Sequence, residues 1–204
     1  MGVTANALLL LSGGIDSTAL AYWLRPVATL HVDYGQMSSG AEQRAAATIG
    51  RLIDSTHRSV TIDTHSFGSG DLAGRPALSV APVSEWWPYR NQLLLTVAAM
   101  AALTKGIPRV WIGIVASDSR HADGRPDFIS AVNSLLSCQE GEVTVVAPAM
   151  GMTSAELVRV SGIPRSALAW AHSCHTADFA CGVCRGCLKH REVTRDLWGA
   201  EEAY

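Results

Sequence analysis

Residues 8–17 read Leu8-Leu9-Leu10-Leu11-Ser12-Gly13-Gly14-Ile15-Asp16-Ser17, and the chemistry this string offers is anion binding. Its two glycines permit a tight turn and a close backbone approach. A helix starting behind them would present free backbone N–H groups and the positive end of its dipole. Ser12 and Ser17 add hydroxyl donors. Asp16 is itself anionic, so it suits a Mg²⁺ ion or a role in fixing the loop rather than direct contact with phosphate. Ser-Gly-Gly alone fits an ordinary strand–turn–helix junction; the whole string in that context is more specific.

A second cluster lies near the C-terminus. Cys174, Cys181, Cys184 and Cys187 fall within a short span, and four thiolates suit a tetrahedral zinc ion. Gly182 and Gly186 let the backbone fold around it. Such a site contributes about 10–16 kcal/mol of folding free energy, enough to order a tail with little core of its own. An iron–sulfur cluster takes the same ligand set, and Cys-x-x-Cys pairs can be redox-active, but this spacing favours a metal. Four cysteines leave no open position, so the expected zinc is structural. His172, His175 and His190 are spare candidates for the same site. Cys138 stands apart on an expected helix and is read as a core residue.

Stepping out from these clusters, the chain alternates apolar strands with helices. Residues 7–11 form a continuous apolar run that suits a buried parallel strand. A helix over about 17–24 ends at Pro26. Strands follow at 27–32 and 57–62, with an Ala-rich helix at 41–52 between them and Asp33-Tyr34-Gly35-Gln36 as a loop. The Gly-, Ser- and Pro-rich stretch 66–83 reads as a long loop, a lid or a disordered segment. Residues 91–104 are apolar nearly all round, which predicts a buried helix. Strands at 109–114 and 144–147, a helix at 128–138 and a helix at 153–160 complete the pattern. The last is capped by Thr153 or Ser154, with Glu156 in its first turn. The pattern predicts an α/β fold with a doubly wound, mainly parallel sheet and ligands at the strand C-termini. Residues 1–171 would form the nucleotide-binding domain and residues 172–204 a zinc-binding segment packed on it.

Composition sets bounds. The 204 residues suit one domain, with room for a small appendage, and 48% hydrophobic residues fit an ordinary globular core. A net charge of −2 argues against tight, unspecific nucleic-acid binding. The start at residues 1–6 has no basic n-region, so no signal peptide is expected; Met1-Gly2 is a weak myristoylation cue. No apolar run approaches the ~18 residues needed to span a membrane. A cytoplasmic protein is expected, with reduced cysteines that favour metal over disulfide.

The string Ser-Gly-Gly-x-Asp-Ser resembles the PP-loop of N-type ATP pyrophosphatases. These enzymes cleave ATP between the α and β phosphates, leave AMP on a substrate oxygen and release pyrophosphate. The order of that loop, Asp33-Tyr34-Gly35-Gln36, an Arg90-Asn91 pair opening an apolar helix, Gly113-Ile114 and the four cysteines resembles the 7-cyano-7-deazaguanine synthase family of the QueC type over nearly the whole chain. The resemblance implies ATP-dependent activation of 7-carboxy-7-deazaguanine. Ammonia then gives an amide, and a second activation gives the nitrile. It also implies ATP, Mg²⁺ and structural zinc as cofactors, and a homodimer. The nucleotide is expected on Leu11, Ser12, Gly13, Gly14, Asp16, Ser17, Asp33, Tyr34, Gly35, Gln36, Arg90 and Asn91. Ser12, Asp16, Ser17 and Arg90 are expected in catalysis, and the deazapurine on Trp87, Tyr89, Gly113, Asp118 and Asp123. Asn91 would cap its helix.

The sequence departs from the family in several places. Met37-Ser38 follow Gln36 where the family has Arg-His, Tyr89 replaces a glycine, and residues 119–127 depart from a substrate-contacting stretch. Ser154 aligns with a family lysine that balances phosphate charge; Arg120 and Arg125 are the candidates to replace it. The departures keep other readings open. One is a ligase that joins the deazaguanine acid to a protein or peptide amine, as in antiviral defence operons. Another is a nucleotide-binding module without catalysis. A third is a tRNA-modifying enzyme using cysteine sulfur, which the acidic composition and metal-like cysteine spacing oppose.

Overall fold

The computed structural model describes residues 5–199. The readings placed on residues 1–4 (the start without a signal peptide, the Met-Gly cue) and on residues 200–204 lie outside the described residues. Five parallel strands, β1 (Ala5–Leu10), β2 (Pro26–Asp33), β3 (Thr56–Thr61), β4 (Arg109–Trp111) and β5 (Thr144–Val146), form one sheet in the order β3-β2-β1-β4-β5. The central strand explains its own sequence. Leu9 packs into one apolar cluster and Leu8 and Leu10 into the other, so both faces of β1 are buried and no polar alternation survives.

Helices cover both faces. Helices α1 (Ile15–Leu24), α2 (Ser39–Leu52), α5 (Ser154–Ser161), α6 (Arg165–Leu168) and α7 (Arg185–Trp198) contribute Leu20, Ile49, Leu157, Leu168 and Val193 to one cluster. Helices α3 (Arg90–Leu103) and α4 (Pro126–Leu136) contribute Leu95, Ala98 and Val132 to the other. This is the expected doubly wound α/β fold. Strand order reverses between β1 and β4, so a crevice opens there at the strand C-termini. Among the described residues no helix is long and apolar enough to cross a membrane.

Local signals set several boundaries. Thr153 accepts a bond from the Glu156 N–H at 3.2 Å while Glu156 accepts from the Thr153 N–H at 2.8 Å, a reciprocal cap that starts α5. Pro126 begins α4, two residues before the expected start, because a helix's first turn has no use for the missing N–H.

The structure corrects other readings. Asn91 does not cap α3; the helix starts at Arg90, and Tyr89 takes the cap position at φ 52°. Nor is α3 buried all round: Gln92, Thr96, Met100 and Leu103 recur at helical spacing and form an exposed stripe. Cys138 is exposed rather than in the core, since α4 stops at Leu136 and leaves it in the turn beyond. The 66–83 stretch is partly packed: a 3-10 turn at Asp71–Ala73 buries Leu72 and Ala73 against Trp87. The tail is also more helical than expected. Helix α7 was not foreseen, and through Val193, Leu197 and Trp198 it joins the main core.

Candidate active site and metal centre

Residues 11–14 turn from β1 into α1 as the sheet topology requires. Gly13 adopts φ +81°, a conformation only glycine takes freely, and lies so close to α2 that a Cβ would meet Ala45 Cβ at 2.7 Å. Gly14 precedes α1, and its carbonyl accepts the Thr18 N–H at 3.0 Å as the first helical bond. The hydroxyls of Ser12 and Ser17 sit 3.1 Å apart, and Ser17 Oγ donates to Gly14 O at 3.1 Å. Ser12 Oγ also takes the Gly14 N–H at 3.3 Å. The loop thus gathers two hydroxyls and a helix N-terminus on one edge of a cavity of about 1070 Å³. Gly113, after β4, lies where a Cβ would come within 3.3 Å of Ser17 Cα, so its lack of a side chain lets α1 begin there.

Asp16 faces the cavity and is held by Lys189, whose Nζ donates to Asp16 Oδ2 at 2.7 Å; Asp16 Oδ1 is buried without a partner. Asp118 lies across the same ammonium at 3.8 Å, and its other oxygen accepts the Val115 N–H at 3.0 Å. Two carboxylates around one cation form an arrangement that could equally accept a divalent metal. Asp123 also lines the cavity.

Arg90 lines the same cavity. Burial opposes its charge, but Tyr34, Asp123 and Glu42 outweigh that cost and hold the guanidinium charged. Burial pushes Tyr34 up to about 12, so the phenol keeps its proton. Burial likewise raises the Glu42 carboxyl, against bonds from Gln36 Nε2 at 2.9 Å and Ser38 Oγ at 2.7 Å. Leu11, Ser12, Gly14, Asp16, Ser17, Tyr34, Arg90, Asn91, Gly113, Asp118 and Asp123 all line this one cavity.

The remaining expected site residues stand back from it. Asp33, Gly35 and Gln36 build the β2–α2 turn: Asp33 Oδ1 accepts the Gly35 N–H at 3.0 Å and Gln36 Oε1 the Tyr34 N–H at 2.9 Å. They hold Tyr34 in place rather than lining the cavity. Trp87 is buried and meets Tyr34 edge-on at 5.0 Å, so its ring has no free face towards the cavity. Tyr89 is 79% exposed, because its left-handed backbone at the helix cap turns the side chain outward. Arg120 lines the cavity, whereas Arg125 lies outside it, bonded to Ser119 O at 2.9 Å.

Sequence reading missed Lys189, Glu42 and His31, and assigned His172 to the cysteine site, whereas all four line the cavity. Glu42 carried no motif of its own. His31 sits within an apolar strand and is 1% exposed, with neither ring nitrogen partnered.

The four cysteine sulfurs lie within 4.8 Å of one another, with Cys181–Cys187 and Cys174–Cys184 both at 3.9 Å. A tetrahedron with metal–sulfur bonds of about 2.3 Å has edges of about 3.8 Å, so the cluster fits one ion. Thiolates holding a multi-iron cluster bind separate irons and stand farther apart. The N–H groups of Val183 and Cys184 draw the Cys181 thiol down, whereas burial pushes Cys187 up. The histidines are not part of the group: His190 Nδ1 pairs with Ser173 Oγ at 3.0 Å, and His172 Nε2 with Ala177 O at 3.0 Å.

The comparisons agree with this architecture. In solved structures, the chain superposes on the U34-tRNA thiolase NcsA from Methanococcus maripaludis with its 4Fe–4S cluster, at a TM-score of 0.53 and 13% identity. That match covers 94% of this chain and 64% of the thiolase, a likeness of fold. A 7-cyano-7-deazaguanine synthase of Koribacter versatilis (strain Ellin345) is 32% identical over 92% of this chain and 87% of the relative. One from Desulforudis audaxviator (strain MP104C) is also 32% identical, over 95% and 98%. The family described as "Queuosine biosynthesis protein QueC" matches residues 6–196. With the sheet order, the loop and the cysteine cluster in place over that whole span, the chain belongs to the QueC family.

Proposed function

We propose that this protein is an ATP-dependent enzyme that adenylates the carboxylate of 7-carboxy-7-deazaguanine and passes the acyl group to a nitrogen nucleophile. The observation that carries the reading is the Ser12–Ser17 loop, which opens at the sheet's switch point onto a cavity shared with Arg90 and the carboxylates of Asp16 and Asp118. In this reading the loop's N–H groups and hydroxyls hold the phosphates of ATP. Mg²⁺, when bound, neutralises phosphate charge, and Asp16 and Asp118 would hold it. Arg90, kept charged in the same cavity, would grip the substrate carboxylate or the α-phosphate it attacks. The carboxylate oxygen displaces pyrophosphate, and the nitrogen nucleophile then displaces AMP. Zinc in the four-cysteine site would order the tail rather than take part in the reaction.

A second acceptor chemistry is favoured by one observation. The stretch that departs from the family pattern, residues 119–127, supplies Arg120, His121, Asp123 and Gly124 to the cavity wall. In this reading the altered wall lies beside the acceptor, and a protein or peptide amine in place of ammonia is the alternative.

The test is pyrophosphate release from Mg-ATP with 7-carboxy-7-deazaguanine, with and without ammonium, with products read by mass spectrometry. Substrate-dependent pyrophosphate with amide and nitrile supports the synthase. Substrate-dependent pyrophosphate with neither product supports another acceptor. No pyrophosphate from folded, metal-loaded protein overturns the adenylation reading.

A further inference from the structure

The chain uses arginine for nearly all its positive charge. Of its 16 basic residues only Lys105 and Lys189 are lysines. Lys105 is exposed beyond the end of α3. Lys189 is the other kind of residue: its side chain is 33% exposed, and its Nζ lies 2.7 Å from Asp16 and 3.8 Å from Asp118.

Position and residue type both bear on what this cation does. Asp16 is the second residue of α1, so Lys189 stands beside the helix N-terminus that faces the cavity. An ammonium is a compact charge with three rotatable donors, which suits the crowded oxygens of a polyphosphate better than a planar guanidinium. Ser154 lines the same cavity and is buried, and its Oγ has no partner. A serine there brings no charge to the phosphates, although ATP brings about four negative charges.

The origin of Lys189 is equally specific. Helix α7 is capped by Cys184, whose sulfur accepts from the Cys187 N–H at 3.5 Å. Lys189 follows Cys187 by two residues, so the cysteine cluster fixes the turn of helix that carries it. The tail is pinned to the loop a second time by the His172 N–H, which donates to Gly13 O at 2.8 Å.

We propose that Lys189 is a phosphate-binding residue, delivered to the nucleotide loop by the metal-nucleated C-terminal helix. This rests on the reading of the loop as an ATP site. In the free protein the ammonium is held by Asp16. When Mg-ATP binds, Asp16 turns to the metal ion, and Lys189 transfers to the β- or γ-phosphate oxygens. A plain ion pair between tail and loop would use the same contact and would leave nucleotide recognition untouched.

Calorimetric titration with Mg-ATP and with AMP separates the two roles, using wild type, K189M and K189Q. Glutamine keeps a donor for Asp16 but no charge, so it guards against a variant that does not fold. Losing a charge-assisted bond to phosphate should weaken ATP about ten- to hundredfold. AMP, which lacks the β and γ phosphates, should bind both variants nearly as it binds the wild type. Equal losses for ATP and AMP, or wild-type ATP affinity in a folded variant, overturn the proposal in favour of a structural ion pair. A wild type that binds no ATP overturns the proposed function itself, and this inference with it.

Discussion

Alanine at each of the two loop glycines should separate what the loop does for the fold from what it does for a ligand. At Gly13, φ is +81°, and a Cβ would meet Ala45 Cβ at 2.7 Å and the Glu42 carbonyl oxygen at 2.8 Å. The left-handed backbone costs an alanine about 1–2 kcal/mol. Relieving the overlap means moving α2, at about 1–3 kcal/mol more. Gly13→Ala should therefore lose about 2–5 kcal/mol, a large share of the 5–15 kcal/mol typical of a domain. Gly14 differs: its φ is −69°, and a Cβ would have no neighbour closer than Ser12 Oγ at 3.4 Å. Gly14→Ala should fold with a loss of about 0.5 kcal/mol, since alanine is only a poorer helix cap. Yet Gly14 lines the cavity, and its methyl group would take space that a phosphate needs. Losing one or two charge-assisted N–H bonds would weaken Mg-ATP on the order of a hundredfold. The assays are urea denaturation and calorimetric titration of Mg-ATP on both variants. A Gly14→Ala protein with wild-type ATP affinity refutes the phosphate-cradle reading. An unchanged urea midpoint for Gly13→Ala refutes the packing argument.

Three further outcomes are expected. His31 titrates at about 4 instead of 6.5, through burial first and the nearby His57 second, against Asp33 and the Leu11 backbone. The unfolded chain therefore binds the proton first as pH falls, so stability should drop from about pH 6.5 to about 4 by roughly 3 kcal/mol and then level off. Urea midpoints across that window should lose most of this slope in His31→Leu, and an identical slope would sink the assignment. Stripping the metal with a chelator should cost far-UV helicity equivalent to the 14 residues of α7. Metal analysis should find about one zinc per chain before treatment, and an iron signal would replace the single-ion reading. Leu157→Ala, at 0% exposure in the main cluster, should lose about 2–5 kcal/mol, whereas the exposed Met100→Ala should stay within about 0.5 kcal/mol.

What the sequence reveals depends on how local the cause is. The run at Leu8–Leu11 betrays a strand buried on both faces because each residue meets a core directly. Thr153 and Glu156 announce a helix start because their bonds span three residues. The Ser12–Ser17 loop is legible because its hydroxyl and helix-start bonds run between neighbours along the chain, although the demand for glycine at 13 comes from α2. Direction is harder to read. Trp87 and Tyr89 are both aromatic and two residues apart, but one packs edge-on against Tyr34 and the other faces solvent. That outcome follows from the left-handed turn at Tyr89, which composition does not encode. Asp33-Tyr34-Gly35-Gln36 stands out as a unit, yet only Tyr34 lines the cavity, and the other three build the turn that holds it. Lys189 carried no local signal at all, since its partner lies 173 residues away.

The tail acts on the site through several separate contacts. Asp178 accepts from Arg44 at 3.0 Å and from the Ala41 N–H at 3.2 Å, both on α2. Arg185 pairs with Glu85 at 2.9 Å on the segment leading to Arg90. His172 and Lys189 reach the loop itself. Exposed ion pairs such as Arg44–Asp178 are worth little alone, but these contacts tie the tail to three separate segments: α2, the stretch before Arg90 and the Ser12–Ser17 loop. A segment anchored in this way transmits its own order to the site. The cysteine cluster supplies that order, because the first turn of α7 is built on Cys184 and Cys187. If the cysteine cluster holds a metal and the Ser12–Ser17 loop a nucleotide, as proposed, the two sites are coupled through this tail. A ligand that binds the loop should protect the cysteines from chelation, by the reciprocity that governs any two coupled sites.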